Sequence, residues 1–427
     1  MSDPSVAGPG QSSSDDIVGL PGLRLSAAVS GWARPEFASV VKMFGWLFTK
    51  YRYGGGGLCV YVDGEPALDI WAGDAAPDRE WTQDTGPTIF SASKGITTTV
   101  IHRLVDRGLL SYDAPVARYW TEFGANGKSS ITVRQLLNHE AGLSRLTGIA
   151  SASDLSDHLV MEKRLAAAPV DRFHRKPAYH ALSIGWLLAG LARSVTGKDM
   201  RELYRTEIAE PLGVDGIHLG FPPEGSPTTR ADMYPNQDRL LRREHALRAG
   251  LFLGMGWVMK TVLNHVPGIR GAADTIYVPG FVRYGLNGGT ADSLLYNTQA
   301  PAISGVATAP ALAKLYAALA SEGSVDGRRL LSPEITAGLA RPEPDRRLDH
   351  TLGLPLGYHL GYHSLQIPAF GFDSGFGFVG AGGSTGWADQ KRCIAVGFTT
   401  NRLVRTIALD QLMFLLMWPR IVRAARS

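Results

Sequence analysis

The sequence predicts an α+β protein whose antiparallel sheet is assembled from both ends of the chain and flanked by helices. Three observations support this class: β-type runs come early, helical periodicity fills the middle, and glycine-rich β-type runs return from about Gly353. A mainly helical middle subdomain would then lie beside the sheet. We expect the functional site in the cleft between the two parts.

The first predicted elements are a helix and a hairpin. Residues 35–51 carry apolar side chains at helical spacing. Residues 58–73 contain two β-rich runs joined by Asp63-Gly64, a dipeptide typical of tight hairpin turns. A third short β-type run, 87–90, ends at Ser91.

The later elements follow from the same periodicities. Helical spacing predicts helices over 96–110, 132–137, 183–195 and 309–320. Farther on, 375–389 and 393–401 are predicted to form paired strands, and the last segment is again helical in pattern.

The chain is predicted to be one folded unit preceded by a tail. Residues 1–20 are rich in Ser, Pro, Gly and Asp, a composition typical of disorder. Residues 21–427 contain no internal repeat and no linker. Within this unit we assign 21–90 and 330–427 to the sheet part and 91–329 to the helical part. The N-terminus has neither the basic start nor the apolar run of a secretory signal, so we expect a cytoplasmic protein.

Composition and charge exclude several classes of protein. Of the 427 residues, 44% are hydrophobic and 19% charged, which is enough for a large core. The net charge of +4 is scattered along the chain and forms no Lys/Arg stripe, so we expect no nucleic-acid partner. Only Cys59 and Cys393 are present, and we interpret both as buried free thiols within β-type runs.

Two apolar segments bear on contact with a membrane. Residues 247–263 and 407–418 are strongly apolar, but both are shorter than the roughly 20 residues of a membrane-spanning helix. We therefore predict packed helices for both. A peripheral contact with membrane lipid is the alternative hypothesis.

Ser91 and Lys94 form an S-x-x-K element at a predicted helix start. Residues three apart lie on one helical face, so the lysine can reach the serine hydroxyl. A lysine held in a desolvated cleft loses its proton more readily and can act as the base that a serine nucleophile needs. A second copy of the element, Ser39 to Lys42, lies within the first amphipathic helix, where we interpret it as ordinary helix surface.

The surrounding sequence resembles the serine β-lactamase and penicillin-binding-protein superfamily, and is most similar to bacterial carboxylesterases related to class C β-lactamases. The resemblance covers roughly residues 30 to 400. It rests on six blocks in the family's order: IFSASKGITTTVIHRLVDRGLLSYDAPVARYW, GKSSITVRQLLNHEAGLS, YHALSIGWLLAGLARSVTGK, PLGVDGIHLG, GRRLLSP and GAGGSTGWAD. It implies the β-lactamase-like fold.

The resemblance also implies roles for particular residues. Ser91 matches the nucleophile, Lys94 its general base or base partner, and Tyr179 the tyrosine that moves protons to and from the seryl oxygen and the leaving group. Backbone N–H groups of Ser91 and Ala381 would form the oxyanion hole. The family position after Tyr-x, usually polar in β-lactamases, is Ala181 here, which fits the esterase-like relatives.

The third family motif, Lys-, His- or Trp-x-Gly on a late strand, corresponds to Phe378-Val379-Gly380. Phe378 and Gly380 are therefore the predicted substrate-binding residues of this strand. A phenylalanine side chain cannot hydrogen-bond a substrate carboxylate, whereas the backbone donors of the oxyanion hole survive the change. We therefore predict ester cleavage and poor turnover of anionic β-lactams or D-Ala-D-Ala peptides.

Other chemical signals are rejected. Ser384 lies in a G-x-S-x-G pentapeptide, but no histidine follows it, as an α/β-hydrolase triad would require. His359 and His363 are four apart without the H-E-x-x-H glutamate, so no metal site is predicted. His139 is interpreted as structural, and His180 is expected to point away from the cleft.

The sequence therefore predicts a serine carboxylesterase or lipase that hydrolyses a small-molecule ester through a Ser91 acyl-enzyme, without metal or organic cofactor. The alternatives with the same fold are a β-lactamase, a D-alanyl peptidase and an acyltransferase. A catalytically inactive binding homologue is the alternative outside the enzymes.

Overall fold

A computed structural model describes residues 29–49, 54–233, 298–340, 347–353, 355–365, 367–402 and 407–427. The predictions for the tail 1–20 and for the apolar segment 247–263 lie outside these residues. The strands are β1 (Ser30–Ala33), β2 (Gly55–Val62), β3 (Glu65–Ala76), β4 (Arg79–Glu80), β5 (Thr85–Gly86), β6 (Ile217–Leu219), β7 (Thr229–Arg230), β8 (Gly305–Ala307), β9 (Ser324–Val325), β10 (Arg328–Arg329), β11 (Gly357–His359), β12 (Tyr362–Ser364), β13 (Phe376–Val379), β14 (Thr385–Asp389) and β15 (Ile394–Thr400).

The α-helices are α1 (Ala38–Thr49), α2 (Ser93–Asp106), α3 (Val133–Leu137), α4 (His158–Ala167), α5 (Ser183–Thr196), α6 (Met200–Leu203), α7 (Glu210–Leu212), α8 (Ala309–Ala320), α9 (Pro333–Ala337) and α10 (Ile407–Ala424). A π-helical segment, Tyr204–Ala209, joins α6 to α7.

The main sheet is antiparallel and has the strand order β1-β3-β2-β15-β14-β13-β12-β11, with β4 added beside β3. The N-terminal strands meet the C-terminal strands where β2 pairs with β15, for example at Cys59 opposite Gly397. The prediction of one sheet built from both chain ends is confirmed.

The two faces of this sheet carry different layers. On the outer face, α1 and α10 bury Phe44, Phe414 and Trp418 against sheet residues that include Val60 and Phe398. On the inner face, α8 packs on β2, β14 and β15, and its core is continuous with that of α2 and α5. The sheet is thus covered on both faces, and the helical part lies on the side of α8.

The first hairpin forms as its turn residues predict. Asp63 and Gly64 both have positive φ, 53° and 79°, and join β2 to β3. A two-residue turn with φ positive at both positions matches the right-handed twist of the strands it connects. The helix predicted over 35–51 is a short 3-10 turn, Pro35–Phe37, followed by α1.

Two local predictions need correction. Residues 87–90 form no strand, and within the described chain only Thr88 bridges Val306, because the chain bends there into the turn that carries Ser91. Cys59 is a buried free thiol in β2, but Cys393 lies half-buried at φ 52° just before β15. Its position in that turn leaves one side of it toward solvent. Among the described helices, none has the combination of length and apolar character that crossing a membrane requires.

Candidate active site

Ser91 lies in a tight turn between the sheet and the helical part. The 3-10 turn Phe90–Ala92 leads directly into α2, and Ser91 is half-buried there. Phe90, the residue before it, has φ 46°, a left-handed conformation that is rare for a bulky side chain. Backbone strain of this kind is concentrated at functional sites, where the surrounding structure enforces it.

Lys94 follows one helical turn later and points at the serine. Its Nζ lies 3.0 Å from Ser91 Oγ and 3.0 Å from the carbonyl oxygen of Ala302, to which it donates. The side chain is almost fully buried, and this burial lowers the pKa of Lys94 well below its ordinary value. A neutral amine at this position can accept the hydroxyl proton of Ser91.

Tyr179 reaches the same oxygen from a different element. It lies in the loop before α5, and its hydroxyl donates to Ser91 Oγ at 3.0 Å. Burial raises the pKa of Tyr179, so the phenol stays protonated and remains a donor. The Lys94 amine lies 5.1 Å from the centre of its ring. The three predicted catalytic residues are thus brought together around one oxygen atom.

Two histidines support this loop without touching Ser91. The backbone N–H of His180 donates to His139 Nδ1 at 3.1 Å, and His180 Nε2 accepts from the N–H of Leu143. His139 packs edge-on against Tyr179 at 5.3 Å and lies 4.6 Å from the ring of Tyr358, whose own ring is parallel to that of Tyr179. Sequence reasoning missed Tyr358, because nothing in the sequence around it shows that β11 faces this loop.

Strand β13 forms the wall opposite the helix. The ring of Phe378 is buried with its centre 5.8 Å from Lys94 Nζ. Gly380 follows the strand, and a Cβ built on it would lie 2.3 Å from the carbonyl oxygen of Ile89, so only glycine fits there. Ala381 comes next, half-buried. The end of β13 therefore runs directly against the turn that carries Ser91.

The rejected signals have structural roles or none. Ser39 and Lys42 lie exposed on α1. Ser384 is buried, and its Oγ accepts from the N–H of Thr400 at 3.1 Å. His359 and His363 lie on the paired strands β11 and β12, and the described chain contains no group of three or more His, Cys, Asp or Glu arranged to hold a metal ion.

An antiparallel sheet flanked by helices, with a serine, a lysine and a tyrosine gathered beside it, defines the β-lactamase-like class of proteins. Comparison with known proteins agrees with this class, and the chain belongs to the family described as Beta-lactamase, whose model matches residues 33–413. The predicted family and fold are confirmed.

Three relatives illustrate the range of this family. The esterase/beta-lactamase LipL of Mycobacterium tuberculosis is 46% identical over 383 residues, which cover 89% of this chain and 85% of LipL. The crystal structure of a family VIII carboxylesterase is similar at a TM-score of 0.75, with 27% identity over 91% of this chain and 98% of that one. A penicillin-binding-protein homologue from Caulobacter crescentus is similar at 0.72, with 26% identity over 93% of this chain and 98% of its own.

Proposed function

We propose that the protein is a serine carboxylesterase in which Ser91 forms an acyl-enzyme, Lys94 is the general base and Tyr179 carries the proton to the leaving alcohol. The observation that carries the proposal is the position of Ser91 Oγ, which lies 3.0 Å from both Lys94 Nζ and Tyr179 Oη. A nucleophile held between a base and an acid is the arrangement that acyl transfer needs.

The proposed reaction has two steps. Lys94 takes the hydroxyl proton as Ser91 Oγ attacks the ester carbonyl, and the proton then passes through Tyr179 to the alcohol oxygen as the ester bond breaks. Water repeats the sequence on the acyl-enzyme and releases the acid. Backbone N–H groups of Ser91 and Ala381 would hold the oxyanion, each contributing about 3 kcal/mol to the transition state.

The side chain of Phe378 on β13 favours esters over β-lactams. Phe378 gives the cleft an apolar wall where a cationic or hydrogen-bonding side chain would recognise a substrate carboxylate. The name of the Mycobacterium tuberculosis relative, which includes both activities, makes a β-lactamase the second candidate.

The first experiment asks whether Ser91 is a nucleophile. A fluorophosphonate probe should label the wild-type protein, and Ser91→Ala should abolish labelling and ester hydrolysis. Ser39→Ala is the matched control, because Ser39 stands in the same S-x-x-K spacing but on the exposed surface of α1. Labelling that persists in Ser91→Ala would refute the proposal.

The second experiment chooses among substrates. Initial rates with p-nitrophenyl esters of increasing acyl length are compared with the rate for a chromogenic cephalosporin. We expect the best ester to exceed the cephalosporin in kcat/KM. A faster cephalosporin would show that Phe378 does not select against β-lactams.

A further inference from the structure

The pairing between β12 and β13 is unusually short. Its ladder consists of one pair among the described residues, His363 opposite Gly377. Two residues farther along β13, the N–H of Val379 meets no ladder carbonyl in that part of the chain. It donates instead to a side chain, His363 Nε2, at 3.3 Å.

The ring of His363 is fixed by its surroundings. It packs edge-on against Phe378 at 4.7 Å and lies 5.9 Å from the ring of Trp387, with the side chain almost fully buried. Burial and the nearby Lys94 lower the pKa of His363 to about 4, so the ring is neutral at neutral pH. A neutral ring that accepts at Nε2 carries its proton on Nδ1, which has no partner among the described residues.

Histidine at position 363 destabilises the fold in a way that an apolar packing residue would not. A buried N–H without an acceptor is unfavourable, and an apolar residue at position 363 would avoid it. The imidazole does supply an acceptor for Val379, one residue before Gly380, where the chain contacts the carbonyl of Ile89.

We propose that His363 is a positioning residue, whose imidazole replaces a missing ladder carbonyl and holds the end of β13 against the turn that carries Ser91. The inference rests on the proposed function, because it makes His363 responsible for the placement of the Ala381 N–H in the oxyanion hole. His363 itself touches no reacting atom.

Two substitutions separate the acceptor from the ring. His363→Phe keeps a planar ring but removes the acceptor, whereas His363→Gln places an amide oxygen near the position of Nε2. We expect His363→Phe to lower kcat for p-nitrophenyl butyrate by about tenfold to a hundredfold, with KM changed less than about twofold, since misplacement of an oxyanion donor affects the transition state. His363→Gln should keep kcat within about threefold of the wild type.

Amide hydrogen exchange provides a readout that does not depend on activity. Exchange in peptides covering 376–384 should become faster in His363→Phe but not in His363→Gln. His102→Phe is the matched control, because His102 is also a buried histidine, but its Nδ1 pairs with the hydroxyl of Tyr112 and not with β13. It should alter neither kcat nor exchange in 376–384.

The outcomes distinguish the two proposals. A wild-type protein that neither labels nor hydrolyses esters refutes the proposed function, while the exchange measurement still decides whether His363 holds β13. The positioning role is overturned if His363→Phe leaves exchange unchanged, if an active enzyme keeps its kcat in that variant, or if His363→Gln is as impaired as His363→Phe.

Discussion

At the scale of single residues, the proposed chemistry depends on a lysine whose burial favours the neutral form of the amine. Desolvation is the cause that lowers the pKa of Lys94, and its described polar contacts are Ser91 Oγ and the carbonyl of Ala302. In the unfolded chain the same amine is protonated up to a pH of about 10. The unfolded state therefore binds more protons at Lys94, and stability rises with pH across the interval between the two pKa values.

Replacing this lysine should exchange activity for stability. Lys94→Met removes an amine whose protonated form burial disfavours, so we expect Tm at pH 7 to rise by about 2 °C or more. The same variant should lose about a thousandfold or more in kcat, because no base remains. Scanning calorimetry and ester hydrolysis measure the two effects.

Lys128 provides the control for that experiment. It is buried as well, and it donates to the carbonyls of Ala125 and Ala168 far from Ser91 in sequence. Lys128→Met should leave kcat unchanged whatever it does to Tm. A Lys94→Met protein that melts below the wild type would show that the buried amine stabilises the fold.

At the scale of elements, one side chain of α8 fills the space between the sheet and α2. A Cβ built on Gly386 of β14 would lie 1.9 Å from the ring of Tyr316 on α8. A Cβ built on Gly95 of α2 would lie 2.0 Å from the hydroxyl of the same tyrosine. One aromatic side chain thus sets the spacing between the sheet and the helix that carries Lys94. Glycine is required at 386 because both neighbours are fixed in the core.

Gly386→Ala tests this spacing. The added methyl group overlaps the Tyr316 ring, so we expect a loss of about 1–3 kcal/mol in the free energy of unfolding. Gly338→Ala is the control, since Gly338 is exposed and a Cβ there meets only atoms at 3.4 Å or beyond. Urea unfolding of the two variants should differ clearly, and equal midpoints would mean that Tyr316 moves freely.

At the scale of the whole molecule, one buried amide connects the two ends of the chain. Asn401, just after β15, accepts from the N–H of Gly55 at 2.8 Å. Its Nδ2 donates to the carbonyl oxygens of Asp74 at 3.0 Å and Asp232 at 2.9 Å. The side chain therefore joins β15 to the start of β2, to β3 and to the segment after β7.

Asn401→Asp replaces the donor by an oxygen that faces these carbonyls. We expect a loss of about 2–4 kcal/mol in the free energy of unfolding at pH 7, because the new buried carboxylate would face carbonyl oxygens that cannot donate to it. Asn126→Asp, an exposed asparagine with one bond to Ala167, should cost less than about 1 kcal/mol. Comparable losses in both variants, measured by urea unfolding, would contradict the role assigned to Asn401.

Much of the fold could be predicted because its signals are local. The hairpin follows from Asp63-Gly64, and the helix over 309–320 has the predicted bounds because its apolar spacing and the Thr308 cap are both present in the chain itself. The pairing of Ser91 with Lys94 is local for the same reason, since residues three positions apart lie on one face of a helix.

What the sequence determined by itself was the early hairpin, the main helices and the serine–lysine pair, which depend on neighbours along the chain. Only the tertiary structure decided that the loop before α5 brings Tyr179 to Ser91, 88 residues away in the sequence. It also decided that Lys94 donates to the carbonyl of Ala302, 208 residues away. It alone showed that His363 bonds β13. Such contacts depend on how the helical part and both chain ends pack together, and no local periodicity encodes that packing.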